Sequence, residues 1–456
     1  MSEDDASAVS YRTLALVGGI LIGLVGSGWW TLQSHHQAAS LTFSLFQVFA
    51  ISVVIWQACD PFADAAQWFG ERWRIPASVR GATLDAVASS IPELFSGLFF
   101  VIIAAKVSSG SADEIAAAGT EGLGATIATC AGSAVYNMIL IPALCGIVIA
   151  ATRTQRPVIE IDSTVISRDG MWFLACETVL VMFLFQPAMH WQMGVVLIGL
   201  YLLYVVQLYL DSRRFRRARD AVAEQYAGRE LPGTDELVHA ISAVGIRPSL
   251  HLIGQIRREL VSANHHDSPH HAHPAATVGV LLNLFRFKLT PTIGYVVLLI
   301  STAVAAAACY WLVKVTYSLA EDLGVPLFFV AVIVAAAASS VPDTFLSIAA
   351  ARRGDDDGAV SNAFGSNVFD ICVCLSIPLL VTSYLNHWQP ISLFTNDRPM
   401  EGLLGLQVLL VASTVITLLI MWRDLRLTAA KSWVLVGLYG VFVAYAILGS
   451  LGWLRV

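Results

Sequence analysis

Apolar runs of roughly 17–25 residues, the length a helix needs to cross a bilayer, recur along this whole chain, and that recurrence leaves few folds open to it. Eleven such spans lie near 12–32, 41–59, 79–105, 121–150, 170–187, 191–210, 290–313, 325–351, 358–384, 402–422 and 432–454. Only 13% of the residues are charged, where a soluble domain carries about a quarter. The runs do not alternate in polarity, as the strands of about ten residues in a membrane β-barrel would. The expected fold class is an all-α polytopic membrane protein with about 11 transmembrane helices, and the lipid bilayer is its surrounding partner. The acidic flank of the first run, "MSEDDASAVSYR", is the wrong charge for a signal peptide, so that run is expected to be a retained span. The seven cysteines fall in or at the ends of apolar spans without ligand spacing, as small core residues do.

Charge placement gives an orientation. With the amino terminus in the cytoplasm, 23 of the 27 Lys and Arg fall inside. Leaving out the long loop 211–288, the ratio is still 12 to 4. The chain then divides into 1–40, an N-terminal segment with the extra span; 41–210, a first membrane half; 211–288, a cytoplasmic loop; and 289–456, a second membrane half. The loop opens on "DSRRFRRARD", a positive-inside anchor facing anionic head groups. It has a helical-looking middle, "TDELVHAISAVGIRPSLHLIGQIRREL", and a His-rich end, "NHHDSPHHAHP", that reads as a linker.

The two halves share a motif. "ASSIPELF" (88–95) returns as "ASSVPDTF" (338–345), and "GSAVYN" (132–137) as "GSNVFD" (365–370). The offsets are 250 and 233, and the polar stretch "KVSSGSADEIAAAGTEG" is the candidate insertion, expected to be a loop. Each copy is two spans, about 79–150 and about 325–384. Five spans separate the third from the eighth, so the copies enter the membrane from opposite sides. Such inverted repeats are a signature of secondary transporters with a site near the midplane.

Proline lacks an amide hydrogen, so Pro92 and Pro342 free the carbonyls of Ala88 and Ala338. Ser89 and Glu93, Ser133 and Asn137, Ser339 and Asp343, and Ser366 and Asp370 each stand four residues apart, on one helix face. Together they offer oxygen ligands only, which suits a hard cation rather than a soft transition metal. Each carboxylate at a bilayer centre costs about 2.5–3.5 kcal/mol, so Glu93, Asp343 and Asp370 together cost roughly 8–10 kcal/mol. No Lys or Arg in the motifs neutralises them. A mobile cation explains a repeated cost of this kind. Two further acids, Asp85 near Arg80 and Glu177 in the fifth span, read as protonated groups or as partners of another helix.

"GATLDAVASSIPELF", "GSAVYN", "SSVPDTF" and "SNAFGSNVFDI" resemble the α-repeats of the sodium/calcium exchanger superfamily. Within it they are most similar to the potassium-dependent sodium/calcium exchangers; "SRDGMWFL" and "LYLLYVVQLY" also echo that branch. The resemblance implies a ten-helix exchanger core with inverted-topology repeats, preceded here by one extra N-terminal span. It implies that Glu93 and Asp343 are the central Ca²⁺ carboxylates. Ser89 and Ser339, with the backbone carbonyls of Ala86 and Ala336, match Na⁺ or Ca²⁺ positions, and Ser133 and Ser366 match Na⁺ sites. Asn137 and Asp370 complete the middle, Asp370 at the position linked to K⁺ dependence. Departures from the pattern are Ala88, Ala338, Asp85, and Ala134 where the second copy has Asn367.

The expected function is antiport of Na⁺ for Ca²⁺ with K⁺ co-transport, and no cofactor beyond the transported Ca²⁺, Na⁺ and K⁺. The alternatives are a K⁺-independent or proton-coupled Ca²⁺ antiporter and a non-transporting membrane sensor. An intramembrane enzyme is disfavoured: the repeat motifs hold no Lys or His, and the chain has no HExxH. Inorganic cations are the expected partners; nucleic acid is not. Arg outnumbers Lys 23 to 4, which suggests a high-GC bacterium and its plasma (inner) membrane.

Overall fold

The computed structural model describes residues 11–34, 36–73, 83–84, 86–107, 112–154, 156–161, 163, 165–226, 233–248, 252–254, 256–257, 277–280, 285–395 and 398–453. Helices occupy every expected span position. The first half holds α1 (Tyr11–Ser34), α2 (Gln37–Arg72), α3 (Ala86–Val107), α4 (Ala112–Val135), α5 (Ile141–Thr152), α6 (Met171–Leu184) and α7 (Trp191–Gln225). A short α8 (Thr234–Ala243) follows. The second half holds α9 (Pro291–Leu323), α10 (Leu327–Val330), α11 (Ala336–Ser339), α12 (Val341–Arg352), α13 (Asp356–Phe369), α14 (Ser376–Leu385), α15 (Leu403–Trp422) and α16 (Ala429–Ser450). Among the described residues, eight helices are long and apolar enough to cross a membrane. A ninth span is counted if the pair meeting at Ser340, bent by 42°, is taken as one. The two remaining expected positions are those of α1 and α6.

The sequence reading misplaced some boundaries. The "loop-like" insertion is largely helix, because α4 begins at Ala112; its alanines favour helix over loop. Past Leu210, α7 continues unbroken to Gln225, since "DSRRFRRARDAVAEQ" is rich in helix formers and its Ala218 and Val222 pack on Leu237, Ala240 and Ile241 of α8. The end of the 211–288 segment forms a hairpin of β3 (Thr277–Val280) and β4 (Phe285–Lys288), whose Val278 packs against Ala65 and Val297. The His-rich stretch and Asp85 lie outside the described residues.

Two short ribbons display the repeat symmetry directly. After α5, β1 (Ile159–Glu160) pairs antiparallel with β8 (Arg426–Leu427), which lies between α15 and α16. After α6, β2 (Ala188–Met189) pairs antiparallel with β5 (Ile391–Ser392), which follows α14. Exchanging the halves carries one ribbon onto the other. Since β1 and β2 lie at opposite ends of α6, the ribbons sit at opposite ends of the bundle. The repeats are therefore inverted in the structure as well as by span parity. The remaining ribbon is a local hairpin of β6 (Phe394–Thr395) and β7 (Arg398–Pro399).

The repeat helices form the interior and the others surround them. In the apolar window of Asp356–Leu385, 67% of residues are buried, against 22% in that of Trp191–Gln225. The outer helices present Leu202, Leu203, Val206, Leu299 and Ile300 outward, the apolar coat that lipid requires. At the β1–β8 end, Arg153 forks onto Asp356, Nη2 to Oδ1 at 2.8 Å and Nη1 to Oδ2 at 3.1 Å, and Nη2 also donates to the Ala351 carbonyl. This joins the end of the first repeat to the second.

The repeats approach each other closely at Gly132. A Cβ there would lie 2.2 Å from the Val332 carbonyl oxygen and 2.8 Å from Ala336 Cβ. Both obstacles belong to a neighbouring helix that is itself packed. Gly132→Ala is expected to destabilise the protein by about 1–3 kcal/mol, as overpacking does, and to lower the melting temperature in detergent; an unchanged melting curve would mean the helices part there at no cost.

Candidate cation site

Each repeat helix that carries a motif has a π turn next to it. In the first copy Tyr136–Leu140 joins α4 to α5 and starts one residue before Asn137; in the second Asp370–Cys374 joins α13 to α14 and starts at Asp370. Ala331–Ala335 precedes α11, and Thr83 and Leu84, at the corresponding place in the first copy, are also π. A π turn holds one residue more than an α turn and so re-aims the side chains beyond it, which is why such turns gather at functional sites. The proline positions act differently. Helix α3 stays continuous through Pro92, whereas the second copy breaks at Ser340 (φ −84°, ψ 3°) with Pro342 in the first turn of α12.

These elements bring all ten residues expected from the sequence into one buried region: Ala86, Ser89, Glu93, Ser133, Asn137, Ala336, Ser339, Asp343, Ser366 and Asp370 are each no more than 1% exposed. Their pairing follows the two-fold. Glu93 faces Ser133 of its own repeat and Ser339 and Ser340 of the other; Asp343 faces Ser366 of its own and Ser89 of the other. The Ser366 hydroxyl is 2.7 Å from Asp343 Oδ1 and 3.2 Å from Ser89 Oγ.

The second group is dense in acceptors. Ser133 Oγ lies 3.2 Å from Glu93 Oε1, 3.1 Å from Asp370 Oδ2 and 2.8 Å from Ser340 Oγ, which is itself 3.1 Å from Glu93 Oε1. A hydroxyl has one proton, so Ser133 cannot satisfy both carboxylates. Asn137 Nδ2 approaches Ser133 Oγ at 3.3 Å and Asp370 Oδ2 at 3.4 Å. Beyond these contacts Glu93 Oε2, Asp343 Oδ2, Asp370 Oδ1 and Asn137 Oδ1 are buried without a hydrogen-bond partner. Each acid thus keeps one oxygen on serines and has the other uncommitted, an arrangement that a cation completes.

The expected single cage resolves into two adjoining groups linked through serines. Among the described residues no three His, Cys, Asp or Glu side chains stand together as one ligand cluster. The expected carbonyl ligands are also engaged: Ala86 O accepts from Ser89 Oγ at 3.2 Å, and Ala336 O accepts from Ser339 Oγ and from the Ser340 amide, both at 3.1 Å.

Two further residues in the site, Ser340 and Asn362, were not singled out from the sequence, and Asn367 stood out there only as a mismatch with Ala134. Ser340 bridges the two repeats. Asn362 Nδ2 reaches Asp343 Oδ1 at 3.4 Å and Ser347 Oγ at 3.1 Å, one helical turn before Ser366. Asn367 donates from Nδ2 to the carbonyl of Ala134, its own counterpart in the other repeat, at 3.0 Å. The Ala134/Asn367 mismatch between the copies was the visible signal of that last contact. Glu177, also buried, lies elsewhere, against Thr414 of α15.

The sodium/calcium exchanger protein family model matches residues 43–210 and 293–448. The human sodium/potassium/calcium exchanger 5 is 23% identical over 406 residues, covering 80% of this chain and 75% of that one. The mouse sodium/potassium/calcium exchanger 4 is 36% identical over 148 residues, 32% of this chain and 22% of that one. Among solved structures, an H⁺/Ca²⁺ exchanger, CAX, superposes with a TM-score of 0.53 at 16% identity, covering 96% of this chain and 93% of that one. Native YfkE superposes at 0.54 and 15%, covering 96% and 99%; both establish the fold. With its family model covering both membrane halves and its two motif pairs buried face to face, the chain belongs to the sodium/calcium exchanger family.

Proposed function

We propose that this Na⁺/Ca²⁺ antiporter also couples K⁺, with Ca²⁺ held between Glu93 and Asp343 and K⁺ held beside Asp370. The observation that carries the reading is the set of three buried acids, each with an uncommitted oxygen and no basic residue among its hydrogen-bond or ion-pair partners. Three ionised carboxylates carry −3. One Ca²⁺ with one K⁺ neutralises them in one half-cycle, and three Na⁺ do so in the other. Ser89, Ser339, Ser133 and Ser366 supply neutral oxygens to both sets. For the Ala86 and Ala336 carbonyls to join, the bonds from Ser89 and Ser339 have to open, which would couple ion arrival to a local change in α3 and α11. The sodium/potassium/calcium exchangers it resembles are named for the same three ions. The charge count of the connecting segments supports an orientation with the amino terminus and the 211–288 segment in the cytoplasm, and the excess of Arg over Lys, 23 to 4, supports a bacterial plasma membrane.

Labelled Ca²⁺ uptake into Na⁺-loaded proteoliposomes, with and without external K⁺, tests this. Wild-type uptake should require both the Na⁺ gradient and K⁺, and Asp343→Asn should abolish it. Asp370→Asn should keep Na⁺-driven uptake while losing its dependence on K⁺; a K⁺ requirement that survives in this variant moves the K⁺ site elsewhere.

Ser340 gives a separate expectation. Ser340→Ala removes one hydroxyl from Glu93 and Ser133, worth about 1.5–3 kcal/mol to a charged partner. The half-saturating Ca²⁺ concentration should rise about tenfold or more with the Na⁺ dependence retained; an unchanged affinity would mean that the serine serves only the helix break.

A further inference from the structure

Helix α15 lies outside the repeats, yet one stripe of it is polar and buried. Gln407, Leu410, Thr414, Thr417 and Met421 succeed each other at spacings of three and four, on one face, and none is more than 2% exposed. The stripe faces the bundle, where α15 packs along α6. Thr414 Oγ1 is 2.9 Å from Glu177 Oε1 of α6. The other polar atoms of this seam have no protein partner: Glu177 Oε2, Thr417 Oγ1, and both the Nε2 and Oε1 of Gln407.

Such atoms in an apolar interior call for water, and an amide with neither end bonded is the clearest case. Gln407 stands four residues from the start of α15, at the end of the bundle opposite the Arg153–Asp356 pair. Its seven residues to Thr414 correspond to about 10 Å of helix, three or four hydrogen-bonded waters long. That end of α15 abuts Met400, whose carbonyl accepts from the Leu403 amide at 3.1 Å. Met400 also lines a cavity of about 650 Å³ with Thr120, Glu121, Asn386 and Ser392.

The donor set identifies the ligand. One carboxylate and one or two hydroxyls are too few oxygens for a hard metal ion, which takes six or more, but they suffice for a proton. Other charged groups near α6 are already engaged. Arg168 is paired with Asp169, which also accepts from Tyr204 of α7 and Ser361 of α13, and Cys176 faces Cys372. Asp370 belongs to the cation site, and α15 carries no titratable residue. Thr414 is the polar partner that reaches Glu177. We propose that Glu177 and Thr414 form a proton-binding site separate from the cation site and reached by water along the Gln407 stripe. The site stands whichever cations the exchanger moves.

The test is infrared difference spectroscopy of the reconstituted protein across a pH titration at fixed Na⁺ and Ca²⁺. A protonated-carboxyl C=O band should titrate, exchange in D₂O, and vanish in Glu177→Gln. Thr414→Val should keep the band and shift its frequency, because the carbonyl loses its donor, and Gln407→Leu should slow its exchange. Initial Ca²⁺ uptake in the same vesicles should lose its response to pH on the cavity side in Glu177→Gln while uptake itself continues. A band that Glu177→Gln leaves intact overturns the proposal. So does one that never exchanges, which would make Glu177 a sealed structural acid. Uptake at fixed pH scores the ion-exchange reading separately.

Discussion

Three carboxylates share an interior that offers them serines and amides but no base, and most of the architecture answers to that fact. At about 2.5–3.5 kcal/mol each, three ionised acids carried empty across the bilayer centre would stand roughly 8–10 kcal/mol above the compensated state. Since about 1.4 kcal/mol is a factor of ten, the empty ionised site is suppressed about a millionfold. A carrier with that penalty moves its site between faces only when the charge is met, so entry of one cation set becomes tied to exit of the other. The serine network lowers the penalty without removing it. One hydroxyl between Glu93 and Asp370 has one proton to give, and a better-satisfied site would bind no ion.

The two repeats solve the same problem by different local means. In the first, Pro92 sits within an unbroken α3; in the second, the helix breaks at Ser340 and bends by 42°. The break turns Ser340 toward Glu93 and Ser133. The same inequality recurs one helix on, where the second copy's Asn367 reaches the carbonyl of Ala134. Asn367 thereby ties the second repeat to the backbone of the first at their equivalent positions. The mismatch between the copies is therefore complementary.

The features legible in the sequence were those that rest on composition, periodicity or repetition. Spans come from apolar run length, the inverted repeat from two motifs and a parity, and eight of the ten central residues from spacings of four, with Ala86 and Ala336 added by the family resemblance. The features that stayed hidden depend on departures from the regular helix. An ideal helix carries Ser340 about 100° away from Ser339, off the i, i+4 pairing that the motifs display, and no spacing marks its reach to Glu93 of the other repeat. Asn362 lies outside the paired motifs and matters because α12 and α13 pack face to face. The partner of Glu177 is 237 residues away, in a helix without an ionisable group to mark it. Helix ends failed for a related reason: α7 crosses from lipid to water at Leu210, and hydropathy marks that crossing although the hydrogen bonding continues to Gln225.

Symmetry also explains how the two ends of the bundle can differ while built alike. The ribbons β1–β8 and β2–β5 are equivalent, each tying one half to the other. Next to the first, Arg153 ends α5 and clamps Asp356 and the Ala351 carbonyl. The motif offset of 233 takes Arg153 to Asn386, which ends α14 beside the second ribbon and lines the 650 Å³ cavity. An asparagine there cannot make the forked pair that a guanidinium makes with a carboxylate. The position that forms the forked pair at one end is thus the position that borders a cavity at the other. In a carrier whose repeats exchange roles, the forked pair of Arg153 and Asp356 is a tie between the repeats that only one end of the bundle carries.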